Sequence, residues 1–288
     1  MAILINLNGD IRENVTISAV DHGFLFGDSV YEVVCTERGA PCFLERHLKR
    51  LRNSAAEIFL KIPWSDQRFE NEIQRLLNTA ENKESYIRIM VTRGEGEIEI
   101  DPRTCEHPNV LIYVKPARIY QTHEYREGIS VALVNTKRNI KEALNPGIKT
   151  GNYLNNIIAI MEAGRMGANE ALMLNSWGII TECTTSNFFW VRDGKIRTPS
   201  LKCGILAGIT RDVVITLAQE NGVIIEKGEW GEEELEGIDE AFITGTVKRI
   251  MPVVKLRGKL VGSGKLGIVT QNLMVLYADN LRKASKID

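Results

Sequence analysis

Short β-branched runs alternate irregularly with amphipathic helical stretches along this chain, and that irregularity constrains the fold most. A doubly wound sheet needs strands and helices taking strict turns. Here residues 30–36, 86–92 and 110–115 read as strands, with only two helices among them. Leu44, Leu48, Leu51, Ala55 and Ile58 recur at spacings of three and four and define one face of the first helix, flanked by Arg46, Lys49, Arg50 and Arg52. Pro63 closes that region, and Ser65-Asp66 predicts the cap of a second helix over 67–80. Residues 3–7 and 14–20 are expected to pair as a hairpin around Asn8-Gly9-Asp10. The second half reads as strands at 129–135, 171–175, 188–192, 195–197, 223–226, 240–244 and 250–256, with helices at 153–166, 210–221 and 270–283. This mixture predicts an α+β class with a barrel-like second half. Residues 1–117 are expected to form a small N-terminal α/β domain, 118–128 a linker and 129–288 a larger domain.

Composition narrows the function classes. Against 36 Lys and Arg stand 37 Asp and Glu, a formal net charge of −1 over 288 residues. With 44% hydrophobic residues the chain is no disordered polymer. It has no basic excess to neutralise phosphates, so no nucleic-acid partner is expected. No apolar run reaches the roughly 18 residues of a membrane span, so no membrane partner is expected. The opening MAILINLNGDIREN has no basic stretch followed by a long apolar core, so no secretory signal is expected and a cytoplasmic location is. Cys35, Cys42, Cys105, Cys183 and Cys203 are odd in number and widely spaced, without a CxxC pair. His22, His47, His107 and His123 form no pair four apart. No metal site is expected from either set.

Several nucleotide signals fail on spacing. Gly262-Ser263-Gly264-Lys265-Leu266-Gly267 lacks the phosphate-loop spacing, and no GxGxxG follows a strand. A stronger phosphate candidate is Gly204-Ile205-Leu206-Ala207-Gly208-Ile209-Thr210, where a glycine-bearing loop opens into a helix whose first N–H groups lack internal partners. Thr244-Gly245-Thr246 offers the same donor types after a strand, and two such loops plus Arg50 suit a phosphate dianion. Lys149 stands among small and apolar neighbours in NPGIKTGNY, and Glu182 lies in TECTTSN. A neutral lysine amine can form a Schiff base with an aldehyde.

Together these motifs resemble the class IV aminotransferases, the fold-type IV family of pyridoxal-phosphate enzymes. DHGFLFGDSVYEVV (21–34), FLERHLKRLRNS (43–54), IKTGNYLNN (148–156), GANEALMLNSWGIITECTTSNFF (167–189), LAGITRDV (206–213) and DEAFITGTVKRIMPV (239–253) follow in the family's order. The resemblance implies an α+β, two-domain fold-type IV enzyme with pyridoxal 5′-phosphate as cofactor, and a homodimer with shared active sites. It implies that Lys149 binds the cofactor covalently and shuttles the substrate Cα proton. Glu182 is expected on the protonated pyridine nitrogen, Arg50 on the phosphate, and Gly208, Ile209, Thr210, Gly245 and Thr246 around that phosphate. Leu206 is expected against the ring and Tyr153 near the phosphate or ring hydroxyl. Tyr31, Arg88, Arg93 and Val247 are the expected substrate residues, with Tyr31 reaching over from a partner subunit.

Two departures bear on specificity. Family members often read TGTAAEI where this chain has TGTVKRI, so Val247, Lys248 and Arg249 place a bulkier, positive stretch near the substrate carboxylate. Cys183-Thr184 replaces the usual Gly-Ser after the glutamate. Tyr31-Glu32-Val33-Val34 resembles D-amino-acid aminotransferases, yet their Arg-x-His carboxylate trap is absent. Tyr86-Ile87-Arg88 and the 93–97 loop resemble branched-chain members. The expected reaction moves an amino group between a branched-chain type amino acid and a 2-oxo acid such as 2-oxoglutarate. The alternatives are a D-amino-acid or (R)-amine transaminase, an aminodeoxychorismate lyase, and a non-catalytic paralogue. Arg50, Arg88, Arg93, Lys149 and Lys248-Arg249 are expected to concentrate positive potential within a chain of near-zero net charge.

Overall fold

The computed structural model describes residues 3–285, so the outermost ends of both expected domains, 1–2 and 286–288, lie outside the described residues. The chain divides into two compact units. The first runs to Arg118 and adds Ile148–Asn152 and the chain from Leu281; the second holds Ile119–Gly147 and Tyr153–Asn280.

The first unit is built on a six-stranded antiparallel sheet. Its strands are β1 (Leu4–Leu7), β2 (Asp10–Arg12), β3 (Ser29–Glu37), β4 (Ala40–Pro41), β5 (Ser85–Thr92) and β6 (Asn109–Pro116), in the order β2-β1-β6-β5-β3-β4. Three helices belong to it: α1 (His22–Leu25), α2 (Leu44–Glu57) and α3 (Asp66–Ala80). The Ser65 hydroxyl accepts from the Arg68 N–H at 3.2 Å and starts α3 as expected. The expected hairpin closes earlier than its sequence predicts. Asn8 and Gly9 both take positive φ, which makes a tight turn, so Leu7 already faces Asp10 and residues 14–20 do not enter the sheet.

Alternation along the strands builds the first core. Val30 and Val34 of β3, Ile87, Ile89 and Val91 of β5, and Val110, Ile112 and Val114 of β6 meet Leu48, Leu51 and Ala55 of α2 and Phe69, Ile73 and Leu76 of α3. Each large apolar side chain among them contributes roughly 1.5–3 kcal/mol on burial.

The second unit carries a nine-stranded mixed sheet. Its strands are β7 (Ile129–Leu133), β8 (Glu170–Leu174), β9 (Ile180–Cys183), β10 (Asn187–Arg192), β11 (Lys195–Pro199), β12 (Ile225–Gly228), β13 (Glu240–Gly245), β14 (Arg249–Leu256) and β15 (Lys259–Leu260). The order is β12-β11-β10-β13-β14-β7-β8-β9, with β15 on β14. The terminal strand β9 also touches β10 and β11, so the sheet curls back on itself. Among the described residues it holds α4 (Thr122–Glu127), α5 (Lys141–Leu144), α6 (Leu154–Arg165), α7 (Ile209–Glu220) and most of α8 (Ile268–Ala284), whose last turn, from Leu281, is grouped with the first unit. Both units mix strand and helix, as an α+β class requires.

Two local features differ from the sequence reading. β9 is absent from it, because the four residues of this strand are all buried and show no polar–apolar alternation. The 118–128 stretch, expected as a linker, holds α4, whose capping box joins Gln121 and Glu124, and Tyr120 and Tyr125 pack on the second core. Its six residues are too few to display a helical period. None of the described helices is long and apolar enough to cross a membrane.

Candidate active site

In the first unit, alternation along β3 puts Val30, Glu32 and Val34 on the face toward α2. Glu32 is therefore a carboxylate with no exposure in the middle of an apolar face. Its partners come from one stripe of α2. His47, Arg50 and Ser54 follow at spacings of three and four, one position off the core stripe Leu48, Leu51, Ala55. Arg50 donates Nε to Glu32 Oε1 at 2.6 Å and Nη2 to Oε2 at 2.8 Å. His47 Nδ1 bonds Oε2 at 2.7 Å. Burial pushes the Glu32 carboxyl upward, but the Arg50 guanidinium and the His47 bond outweigh it and bring the pKa down to about 2. Burial pushes His47 below the usual imidazole value despite its bond to Glu32. The imidazole is thus neutral and donates its Nδ1–H to the carboxylate.

The opposite face of β3 carries Tyr31. Ser29–Tyr31 takes on Lys149–Gly151 as a short antiparallel addition: Tyr31 N–H donates to Lys149 O at 3.0 Å, and Gly151 N–H to Ser29 O at 2.8 Å. This register sets Tyr31 opposite Lys149, with both side chains on one face. Lys149 Nζ lies 4.1 Å from the Tyr31 ring centroid. Arg88 on β5 pairs with Val33, a diagonal neighbour of Tyr31, and its Cζ lies 4.0 Å from the same centroid. The same register explains Gly151, where a Cβ would sit 2.1 Å from Ser29 Oγ. The Lys149 backbone N–H donates to Ser54 Oγ at 3.2 Å, so α2 also fixes this segment. Tyr31 thus meets Lys149 within one chain, whereas the family resemblance brings it from a partner.

Arg93 is placed differently from expectation. It donates Nε and Nη2 to the Asp28 carboxylate at 2.7 and 3.0 Å, Nη1 to Phe59 O at 2.9 Å and Nη2 to Ile58 O at 2.7 Å. All three of its nitrogens are engaged inside the fold, where Arg93 ties Asp28 to the Ile58 and Phe59 carbonyls.

In the second unit, Glu182 is the buried acid of β9. Four N–H groups converge on its carboxylate. Arg138 gives Nε and Nη2 to Oε1 at 3.2 and 3.1 Å, while Asn187 Nδ2 and the Leu206 backbone N–H reach Oε2 at 3.0 Å each. Arg138 also reaches Pro146 O at 3.4 Å. Asn187 bonds Leu206 O at 2.9 Å, which ties the Leu206 loop to β10.

α7 starts at Gly208, whose position carries no side-chain cap, so the Ile209 and Thr210 N–H groups begin the helix without one. A Cβ on Gly208 would lie 1.9 Å from Asn187 Oδ1, so only glycine lets the backbone come this close. Asn187 pairs with Thr244 of β13, which puts both side chains on one face of the sheet. Thr244 Oγ1 is buried and makes no hydrogen bond. Gly245 ends β13, Thr246, Val247 and Lys248 form the turn, and Arg249 enters β14 with φ of +56°. Tyr153 stands at the N-cap of α6.

The unusual Lys248 is neutralised. Its Nζ bonds buried Glu170 Oε2 at 2.7 Å, and Glu170 Oε1 accepts the Thr184 N–H at 3.2 Å and the Thr184 hydroxyl. Tyr125 Oη donates to Lys248 O at 3.4 Å, and burial raises the Tyr125 phenol to about 12. Of the six cations expected to concentrate positive potential, Arg50, Arg93 and Lys248 are each matched by a carboxylate, as is Arg138, which was not among them.

Sequence reasoning missed Glu32, His47, Arg138 and Asn187. The first two carry a signal: a carboxylate inside the alternating Val30-x-Glu32-x-Val34 run, and a histidine three residues before Arg50 on one helix face. Arg138 and Asn187 carry none.

Comparisons with known proteins agree on one family. The profile described as Amino-transferase class IV matches residues 29–256. A Methanocaldococcus jannaschii protein, provisionally assigned as a branched-chain-amino-acid aminotransferase, is 34% identical and covers 96% of this chain and 95% of its own length. A D-alanine aminotransferase of Bacillus licheniformis is 30% identical over 98% of this chain and 97% of its own. The crystal structure of the T.th. branched-chain amino acid aminotransferase with pyridoxamine 5′-phosphate superposes with a TM-score of 0.94 at 28% identity, covering 100% of this chain and 96% of that one.

Proposed function

The chain belongs to the class IV aminotransferase family, which uses pyridoxal 5′-phosphate, and from that premise we propose that it moves amino groups between branched-chain type L-amino acids and a 2-oxo acid such as 2-oxoglutarate. One observation carries the assignment of the reacting group: Lys149 Nζ held 4.1 Å from the Tyr31 ring by an antiparallel register.

The donor set fits the cofactor. Lys149 supplies a primary amine for its aldehyde, and Glu182 a buried carboxylate for a protonated ring nitrogen. The α7 N-terminus, with Gly208 as the residue its close approach requires and Thr244 Oγ1 unsatisfied nearby, suits phosphate oxygens. In this reading Arg50, Ile209, Thr210, Gly245 and Thr246 hold the phosphate, Leu206 lies against the ring, and Tyr153 contacts its rim. When bound, the cofactor supplies an aldehyde carbon and an electron-withdrawing ring.

Lys149 Nζ would take up the substrate Cα proton and deliver it to the cofactor's aldehyde carbon, so that the amino group stays with the cofactor. Glu182 keeps positive charge at the ring nitrogen, and Arg138 keeps Glu182 in place. Tyr31 walls the substrate side, where Arg88 serves the substrate carboxylate and Val247 narrows the turn. Arg93 leaves the substrate set because its donors are engaged by Asp28 and two carbonyls. With no Arg-x-His trap in the chain, aliphatic L-amino acids suit the site better than D-alanine.

The enzyme is in this reading a cytoplasmic homodimer. Leu154, Ile157, Ile158 and Met161 form an exposed apolar stripe on α6 that a second copy would cover.

The test is a half-reaction scan. The yellow holoenzyme is mixed with L-leucine, L-glutamate, D-alanine and (R)-1-phenylethylamine, and conversion to the pyridoxamine form is followed. Rapid bleaching by L-leucine and L-glutamate is expected. Bleaching by D-alanine alone overturns the substrate choice in favour of the D-amino-acid reading.

A further inference from the structure

We propose that Glu32 and His47 form a positioning unit that aims Arg50 at the cofactor phosphate. This rests on the reading of Arg50 as a phosphate ligand and goes beyond it, because neither residue is assigned any role there.

The position of Glu32 is the first reason. Its neighbours on the same face of β3, Val30 and Val34, are core residues with no exposure. Packing alone would be served by another apolar side chain, and a buried carboxylate is tolerated only when its partners are excellent. Both partners come from one stripe of α2, so strand register and helical spacing agree on this one contact.

The geometry of the pairing is the second reason. Arg50 meets Glu32 through Nε and Nη2, at 2.6 and 2.8 Å, on two different carboxylate oxygens. Two parallel bonds fix the plane of the guanidinium, which a single contact cannot do. The pairing uses the Nε edge and turns the Nη1 end away from Glu32. His47 holds the carboxylate in turn, through a 2.7 Å bond to the oxygen that also receives Nη2. The carboxylate is thus gripped from two sides, and the guanidinium inherits that rigidity. Glu32 stays ionised through the neutral range, so the aim does not lapse with ordinary changes of pH.

The test compares apoprotein affinity for pyridoxal 5′-phosphate and for pyridoxal, which lacks the phosphate. Titration by protein fluorescence gives both dissociation constants. Their ratio reports the phosphate contact and cancels a general loosening of the fold. In Glu32→Gln the ratio is expected to fall about tenfold, with pyridoxal affinity held within about twofold. In Glu32→Asp, which keeps the buried charge but is too short to hold both guanidinium nitrogens, the ratio is expected to fall as well. In His47→Gln a smaller loss, about threefold, is expected. Arg50→Ala should collapse the ratio, and adding Glu32→Gln to it should change nothing further.

A wild-type ratio in Glu32→Gln and Glu32→Asp, with collapse in Arg50→Ala, overturns the positioning role and leaves the Arg50 reading intact. Equal loss for both ligands in the Glu32 variants also overturns it. An unchanged ratio in Arg50→Ala removes the phosphate role of Arg50 itself, and the proposal falls with it.

Discussion

Lys149 Nζ sits 4.1 Å from the centroid of the Tyr31 ring because Tyr31 N–H donates to Lys149 O, which sets the two residues opposite each other across a short antiparallel pairing. The negative face of the ring attracts a cationic amine and gives its head a defined place. A cation over a ring gains roughly 0.5–2 kcal/mol.

Lys149→Ala is expected to abolish transamination and the visible absorbance of the bound cofactor. Tyr31→Leu keeps bulk but removes the ring, and kcat should drop about tenfold. Tyr31→Phe keeps the ring and should retain most of kcat. Steady-state kinetics and absorbance spectra check these outcomes. Full activity in Tyr31→Leu removes the ring from the account.

Acid should destabilise the first unit in two stages. Glu32 is lowered from 4.5 to about 2, so its contribution is fully present above pH 4.5 and is lost as the pH falls through about 2. That contribution is about 3 kcal/mol. His47 is lowered from 6.5, chiefly by burial, with Arg50 and Lys149 also disfavouring its charge and Glu32 opposing them. Its contribution is present above about 6.5 and also declines with acid, so both groups act in the same direction. Thermal unfolding followed from about pH 7 down to about pH 3 should show a modest decline and then a steep one. In Glu32→Gln the steep part should flatten.

How much of this site is legible in the sequence depends on how each residue is specified. Lys149, Glu182 and Thr210 lie in local strings whose neighbours set the backbone around them, and those strings can be read directly. The α2 helix is recognised from Leu48, Leu51 and Ala55 alone, so of the second stripe one residue over, His47, Arg50 and Ser54, only Arg50 stands out. Arg93 stands out by its charge, but its role is decided by Asp28, Ile58 and Phe59, which reach it only through the fold. β9 escapes because four residues buried on every side leave no periodic trace. Arg138 is 44 residues from Glu182, and such a pair becomes visible only once β7 and β9 are placed in the second sheet.

Arg138→Met should be strongly destabilising. It removes the two N–H groups that Arg138 gives Glu182 Oε1 and takes away the guanidinium bonded to that buried carboxylate. Breaking such a pair from one side costs about 3–5 kcal/mol. Arg138→Lys keeps the charge but loses the fork, so a smaller fall in melting temperature is expected. Calorimetry with and without cofactor checks both. Equal stability of wild type and Arg138→Met would mean that Arg138 is not needed to hold Glu182.

The α6 stripe makes a separate prediction. Leu154, Ile157, Ile158 and Met161 are exposed at positions i, i+3, i+4 and i+7. Ile157→Lys with Met161→Lys puts two charges where a second copy is expected to pack. Sedimentation velocity should show a dimer for the wild type and a shift toward monomer for the double variant. A dimer that persists unchanged places the interface elsewhere.

Gly208→Ala tests the phosphate cradle through a single methyl group. The added Cβ would lie 1.9 Å from Asn187 Oδ1 and 3.2 Å from Arg211 Cβ, so one of them must move. Asn187 is the side chain directly in the way, but its Nδ2 is bonded to Glu182 Oε2 and Leu206 O. Any retreat of Asn187 therefore disturbs the acid assigned to the ring nitrogen as well as the helix start assigned to the phosphate. Cofactor affinity should fall at least about tenfold, with the melting temperature of the cofactor-free protein changing less. Combining Gly208→Ala with Asn187→Ala relieves the clash but removes a Glu182 bond, so affinity should recover only in part. Full recovery would show that steric room at Gly208, and not the Asn187–Glu182 bond, is what the cofactor requires.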